Sequence, residues 1–286
     1  MKKLLICLLL LLSAAASRAE SDSVRIERML HSSITMPEST NWMTYFARQL
    51  LGVPYVGGTL DVRYAKDKGV RNGEVPVIIN IHGLDCYTYV EACTALTFCR
   101  KYRKTSFADY RQWITRLRFY EGKPTGYASR LHYVSQWVIE NARYSRMREI
   151  QGTEAPFTAS QRLELTLMSK FPTKYAALTG HPMLIHDIEK RERELKGIVR
   201  RYIPRNQLGN TKALRATVKD GDILGIVTNK HGLDCSHVGI AVWHSDGLHL
   251  LNASSIHKKT VEEPMTLLQY LSKQPGRIGI RVFRLN

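Results

Sequence analysis

The chain is 286 residues long, and its 42 Lys and Arg against 25 Asp and Glu give a formal charge of +17 at pH 7. That length suits one large domain, and no apolar run after the opening residues is long enough for a membrane-spanning helix, which excludes a polytopic membrane protein. So basic a chain attracts anionic partners.

The opening MKKLLICLLLLLSAAASRA has Lys2 and Lys3, a short apolar run over 4–12, and small residues at Ser17 and Ala19. It reads as a secretory signal peptide, residues 1–19, cleaved near Ala19. Losing Lys2, Lys3 and Arg18 takes the charge from +17 to +14. The remaining 20–286 is expected to be one exported, periplasmic domain without stable membrane insertion. In that compartment nucleic acid is not expected as a partner, and peptidoglycan or muropeptide, with its free carboxylates, is.

Residues 40–52 read as an amphipathic helix, and Pro54 with Gly57-Gly58 marks an irregular loop after it. VPVIINI (75–81) reads as a buried strand and His82-Gly83-Leu84 as a turn. Asp85 suits a helix N-cap, and Tyr89, Val90, Cys93 and Leu96 then share one helical face to about Tyr102. Residues 103–215 are expected to form a helical insertion, with helices near 106–119, 128–144, 160–169 and 186–202. From there the period changes to two. Strands are expected at 221–229, 236–245 and 247–255, with a hairpin turn at Asp246-Gly247. A short strand at 258–262, a helix at 264–273 and a last strand at 277–285 follow. The fold class is α+β: a cysteine-bearing helix packed on a mostly antiparallel sheet.

The pentapeptide HGLDC occurs twice, at 82–86 and 231–235. The first copy leads into a helix and the second into a strand, so they are not copies of one device. A thiolate is favoured at a helix N-terminus, which points to Cys86 as nucleophile rather than Cys235. A cysteine nucleophile needs a base, and His237 opens a strand expected beside the Cys86 helix. Asn252, on the next hairpin strand, can orient that imidazole through its other nitrogen. A Cys235–His237 dyad, i and i+2 on one strand, is the alternative. Cys93 and Cys99 read as core residues. Without CxxC or HxxxH spacing, no metal or organic cofactor is expected.

In this order, PYVGG (54–58), GLDC (83–86), DGDIL (220–224), SHVGIAVW (236–243) and LLNASS (250–255) resemble the NlpC-like superfamily of papain-like cell-wall cysteine hydrolases. VGGTLD (56–61), GYASRLHY (126–133) and LSKQPGRIGIRVFRL (271–285) look like its N-acetylmuramoyl-L-alanine amidase-like branch. The resemblance implies a papain-like core with Cys86 as nucleophile, His237 as base and Asn252 as the third polar residue. It implies that the Tyr55 hydroxyl and the Cys86 amide bind the oxyanion. Many endopeptidase members carry two small residues after the nucleophile, where this chain has Tyr87-Thr88, which implies a remodelled pocket. Asp85, Tyr87, Arg130 and His132 are expected to contact substrate. The implied activity is hydrolysis of the N-acetylmuramoyl–L-alanine amide bond. A γ-D-glutamyl endopeptidase and a non-catalytic muropeptide-binding module are the alternatives.

Overall fold

The computed structural model describes residues 20–60 and 75–286; the expected signal peptide lies outside them. The chain starts with helix α1 (Asp22–Ser33), capped by Ser21, and α2 (Trp42–Gln49), capped by Asn41. Helix α3 (Cys86–Lys101) follows, with every residue from Thr88 to Cys99 buried. A helix buried on all sides belongs inside a domain, its few polar groups being paired there. It packs against α1, α2, α4 (Phe107–Arg118) and one face of the sheet. The Tyr89 hydroxyl donates to the Ala47 carbonyl at 2.9 Å, fixing α3 to α2.

Helix α5 (Val134–Arg143) leads into β1 (Met147–Ile150) and β2 (Ala159–Arg162). A single turn, α6 (Leu167–Lys170), and a longer helix, α7 (Pro182–Arg193), precede β3 (Val199–Pro204) and α8 (Lys212–Thr217). Then come β4 (Ile223–Thr228), β5 (Cys235–Trp243), β6 (Leu248–Ser254), β7 (Lys259–Glu262), α9 (Leu267–Ser272) and β8 (Arg277–Leu285). All strand pairs are antiparallel, in the order β2-β3-β8-β4-β5-β6-β7, with β1 also on β8. Val238, Ile240, Val242, Leu251 and Ala253 join the α3 core, while Ala241, Leu248 and Leu250 pack with Leu267 and Leu271 of α9. The alternation predicted from 221 onward therefore places one layer of helices on each face. Among the described residues no helix is long and apolar enough to cross a membrane.

Four expectations are corrected. Residues 75–80 form no strand; Val75 N–H donates to Pro124 O, Ile81 N–H to the Asp22 carboxylate, and Ile78 O accepts from Arg118. Side chains and a loop supply the partners that a neighbouring strand would have offered. Residues 127–129 form only a single 3-10 turn, 130–133 are not helical, and α5 starts only at Val134. The helix expected at 160–169 is instead β2 followed by the single turn α6. The one expected at 186–202 ends at Arg193, and β3 starts after Gly197, whose φ is +84°. The block 103–215 is thus no purely helical insertion, because it adds three strands to the same sheet.

Buried ion pairs tie this block to the core. Arg118 bonds Glu91 of α3 at 2.8 Å, and Arg281 of β8 bonds Glu149 of β1 at 2.6 Å. Glu91, Arg118 and Arg281 are all almost wholly buried. Removing one partner of such a pair strands a charge in the interior.

Candidate active site

The two HGLDC copies are built for different purposes. In the first, Asp85 is the α3 N-cap: its carboxylate accepts from Thr88 N–H and from the Thr88 hydroxyl, both at 2.8 Å. The Thr88 hydroxyl oxygen in turn accepts from Asp85 N–H, closing a capping box. This holds Cys86 at the first helical position. Gly83 is required by packing, since a Cβ there would meet Val56 Cγ2 at 2.8 Å. In the second copy, Asp234 accepts from Cys235 N–H at 2.7 Å and Ser135 N–H at 2.6 Å. Gly232 has φ +79°, and a Cβ would meet the Thr166 hydroxyl at 2.6 Å.

The close approach at Gly83 brings in Tyr55. Residues 54–56 run beside the turn before α3: Leu84 N–H donates to Pro54 O and Val56 N–H to Leu84 O, each at 3.0 Å. On the other side Tyr55 N–H donates to Lys258 O at 2.9 Å. Tyr55 is thereby fixed between the turn before α3 and the start of β7. Burial, then the neighbouring Cys86 and Asp85, push its hydroxyl pKa upward, so it keeps its proton and can donate.

The Cys86 sulfur faces the Val238 amide, next along the chain from His237. His237 is buried and its Nε2 lies 3.0 Å from Asn252 Oδ1. Asn252 Nδ2 donates to Glu263 Oε1 at 3.2 Å, and Glu263 Oε2 lies 3.2 Å from His257 Nε2. The carboxylate orients the amide so that its oxygen faces the imidazole. Nε2 then carries the proton and Nδ1 is left as the basic nitrogen. The Tyr270 ring lies 6.3 Å from the His237 ring, and the Arg277 guanidinium lies 4.6 Å over Tyr270. Glu263, His257, Tyr270 and Arg277 were not anticipated from sequence. The nearest signals were the run VEEP at the end of β7 and the charged ends of the RIGIR strand.

The expected acidity of Cys86 is corrected. Burial, followed by the Asp85 charge, pushes the thiol up to about 12. The amides of Val238, Tyr87 and Cys86 pull the other way without prevailing. His237 is held down to about 4, chiefly by burial, with Asn252 opposing and Arg277 reinforcing. Both shifts favour a neutral thiol and a neutral imidazole at rest.

The low His237 value makes stability depend on pH. Between about 4 and 6.5 the unfolded imidazole takes a proton that the folded one refuses. Stability is therefore full above 6.5 and falls towards pH 4, by at most about 3 kcal/mol from this ring. His132, also held well below its usual value by burial, acts in the same direction. Urea unfolding at pH 7 and pH 5 should show this loss, and His237→Gln should show less of it.

Each of the four residues expected at the substrate has a defined partner within the fold. Asp85 is committed to the helix cap. The Tyr87 hydroxyl donates to Leu131 O at 3.1 Å, and its ring meets Trp137 edge-on at 6.0 Å. Arg130 is buried with its guanidinium 5.3 Å over the Tyr127 ring. His132 Nε2 bonds Tyr127 O at 3.0 Å. Tyr87 thus joins α3 to the 130–132 segment.

The Cys235–His237 alternative assumed a regular strand. The register shifts there: Ile226 pairs with His237 and Val227 with Cys235, so Ser236 is extra. Ile226 and Val227 point to opposite faces of β4, so the residues opposite them, His237 and Cys235, do too. Cys235 accordingly joins the α3 core and is bonded by Arg281, while His237 faces Asn252. Cys93 and Cys99 are wholly buried, and all four described cysteines are free thiols.

A family model described as N-acetylmuramoyl-L-alanine amidase-like matches residues 45–280. A solved N-acetylmuramoyl-L-alanine amidase from Bacteroides uniformis ATCC 8492 is 33% identical, covering 86% of this chain and 97% of its own, with a TM-score of 0.75. A Bacteroides fragilis structure described as a candidate xylanase is 34% identical over 84% of this chain and 98% of its own, TM-score 0.74. Protein LPG0564 from Legionella pneumophila str. Philadelphia 1, at 19% identity over 91% of this chain and 93% of its own, shares the fold with a TM-score of 0.66. No curated protein sequence matches the chain. With over three quarters of its length matched by the family model, the chain belongs to the AmiA-like, N-acetylmuramoyl-L-alanine amidase-like family.

Proposed function

We propose that this chain is an exported, papain-like cysteine amidase that cleaves the amide between N-acetylmuramic acid and L-alanine in peptidoglycan fragments. The signal pattern in residues 1–19 supports export, and the unbroken sheet supports one domain over 20–286. The observation that carries the mechanism is the His237–Asn252 contact at 3.0 Å one residue from Val238, whose amide meets the sulfur of a cysteine at the first position of a buried helix. As Cys86 Sγ attacks the carbonyl carbon, His237 Nδ1 takes its proton. The oxyanion is met by the Tyr55 hydroxyl and the Cys86 N–H. His237 then protonates the departing L-alanine nitrogen, the C–N bond breaks, and water attacks the thioester, returning the thiol. Because the resting pair is neutral, charge separates only as the bond forms, and the Asn252–Glu263 chain stabilises the imidazolium behind it.

Glycoside hydrolysis fits this site less well. It uses two carboxyl groups flanking the scissile bond. Here Asp85 is committed to the helix cap and Glu263 is buried behind Asn252. Digestion of N-acetylmuramoyl-peptides, read by mass spectrometry, tests the proposal. The expected products are free N-acetylmuramic acid and an intact peptide beginning with L-alanine. Release of an L-Ala–D-Glu dipeptide would instead mark the γ-D-glutamyl endopeptidase. Binding without turnover would mark a non-catalytic module.

A further inference from the structure

We propose that the tip of the β5–β6 hairpin is a binding site for one divalent transition-metal cation of the zinc type, held by His244, Asp246 and His249. One ligand atom from each of these residues lies within 4.8 Å of the others. Mixed imidazole and carboxylate donors suit zinc and its borderline neighbours better than magnesium or calcium.

The surrounding hydrogen bonds point to a ligand independently of the spacing. His249 is almost wholly buried, and its Nδ1 lies 2.8 Å from the Glu263 carbonyl. A carbonyl only accepts, so Nδ1 carries the hydrogen. Nε2 is then the nitrogen with the lone pair, and it faces Asp246 Oδ1 at 2.9 Å. An acceptor facing a carboxylate needs a cation between them: a second proton or a metal. His244 is arranged in the same way. Its Nε2 lies 2.7 Å from Glu262 Oε1, and that carboxylate is itself gripped by the Arg48 guanidinium through two bonds of 3.0 Å. The guanidinium keeps Glu262 ionised and accepting, so His244 Nε2 donates and Nδ1 keeps its lone pair. The two rings stack 4.1 Å apart, 17° from parallel. Metal-binding histidines commonly give the remote N–H to a carbonyl or carboxylate, which fixes the ring and raises its basicity. Both rings here have such a partner, and the partners are adjacent residues, Glu262 at the end of β7 and Glu263 just after it. A metal would replace the proton shared by His249 and Asp246 and join the hairpin tip to the Glu262-Glu263 pair.

The purified, untagged chain, stripped with chelator, would be titrated with zinc against a chromophoric chelator. The Cys86→Ala background removes the candidate active-site thiol as a competing ligand. We expect one zinc per chain, with affinity lowered at least tenfold by Asp246→Asn and by His244→Ala, both at exposed positions where circular dichroism should not change. Cobalt(II) should give visible d–d bands without the near-ultraviolet charge-transfer band of a thiolate ligand. Failure to bind zinc, an affinity that neither substitution lowers tenfold, or a thiolate band in the Cys86→Ala chain would overturn the assignment.

Discussion

Replacing Cys86 by alanine is expected to lower amidase turnover on the order of 10⁴-fold or more, with the fold intact. In the proposed mechanism the substitution deletes the only protein atom that bonds to the carbonyl carbon, and loss of a nucleophile in such a unit removes nearly all its rate. The side chain sits at the edge of the core, and the capping box between Asp85 and Thr88 does not use it, so α3 should keep its start. Cys235→Ala provides the contrast. That thiol lies on the α3 face of β5, beyond the bulge at Ser236, with Arg281 as its polar neighbour. Its loss should cost about 1 kcal/mol of stability and leave turnover within a fewfold. Product release followed by mass spectrometry, with near-ultraviolet circular dichroism of each variant, gives both numbers. Loss of activity in Cys235→Ala alone would reverse the assignment of the nucleophile.

The strands of β4 to β8 and the start of α3 were legible because their signals are local. Alternation fixes a strand's two faces, and Asp85 before an apolar run marks a cap. The reading failed where the deciding contact is distant. VPVIINI has the composition of a buried strand, but its backbone groups meet Asp22, Arg118 and Pro124. The stretch after Gly197 reads as helix by its charges, yet it pairs with β8 through Ile203 and Pro204. At the site, Cys86, His237 and Asn252 could be connected by motif order and a hairpin. Glu263 could not, because its place behind Asn252 depends on how β7 exits the sheet. The Cys86 thiol exposes the same gap from the energetic side. A helix terminus is visible in sequence, but the burial that outweighs it is a property of the assembled fold.

That assembled fold also predicts a graded response along the chain of contacts behind the imidazole. His237→Ala should reduce turnover on the order of 10³- to 10⁴-fold, since both the acceptor of the thiol proton and the donor to the leaving nitrogen are lost. Asn252→Ala should cost about 10- to 100-fold, because the ring stays but its orientation and tautomer are released. Glu263→Gln should cost less, as the glutamine can still accept from Asn252 Nδ2 while the negative charge behind the imidazolium disappears. Hydrogen bonding in series makes these effects non-additive. With Asn252 already alanine, Glu263 has no route to the imidazole, so Asn252→Ala combined with Glu263→Gln should be no slower than Asn252→Ala alone. If Glu263 acts through Asn252 on the charge of the ring, Glu263→Gln should also shift the pH profile of kcat/KM towards lower pH, because the imidazolium loses support while neutral histidine does not, which lowers the ring's pKa. A residue that merely packed there would lower the amount of folded protein and leave that profile where it was. Additive losses in the double variant, with an unmoved profile, would reduce Glu263 to a structural role and leave Asn252 as the end of the chain.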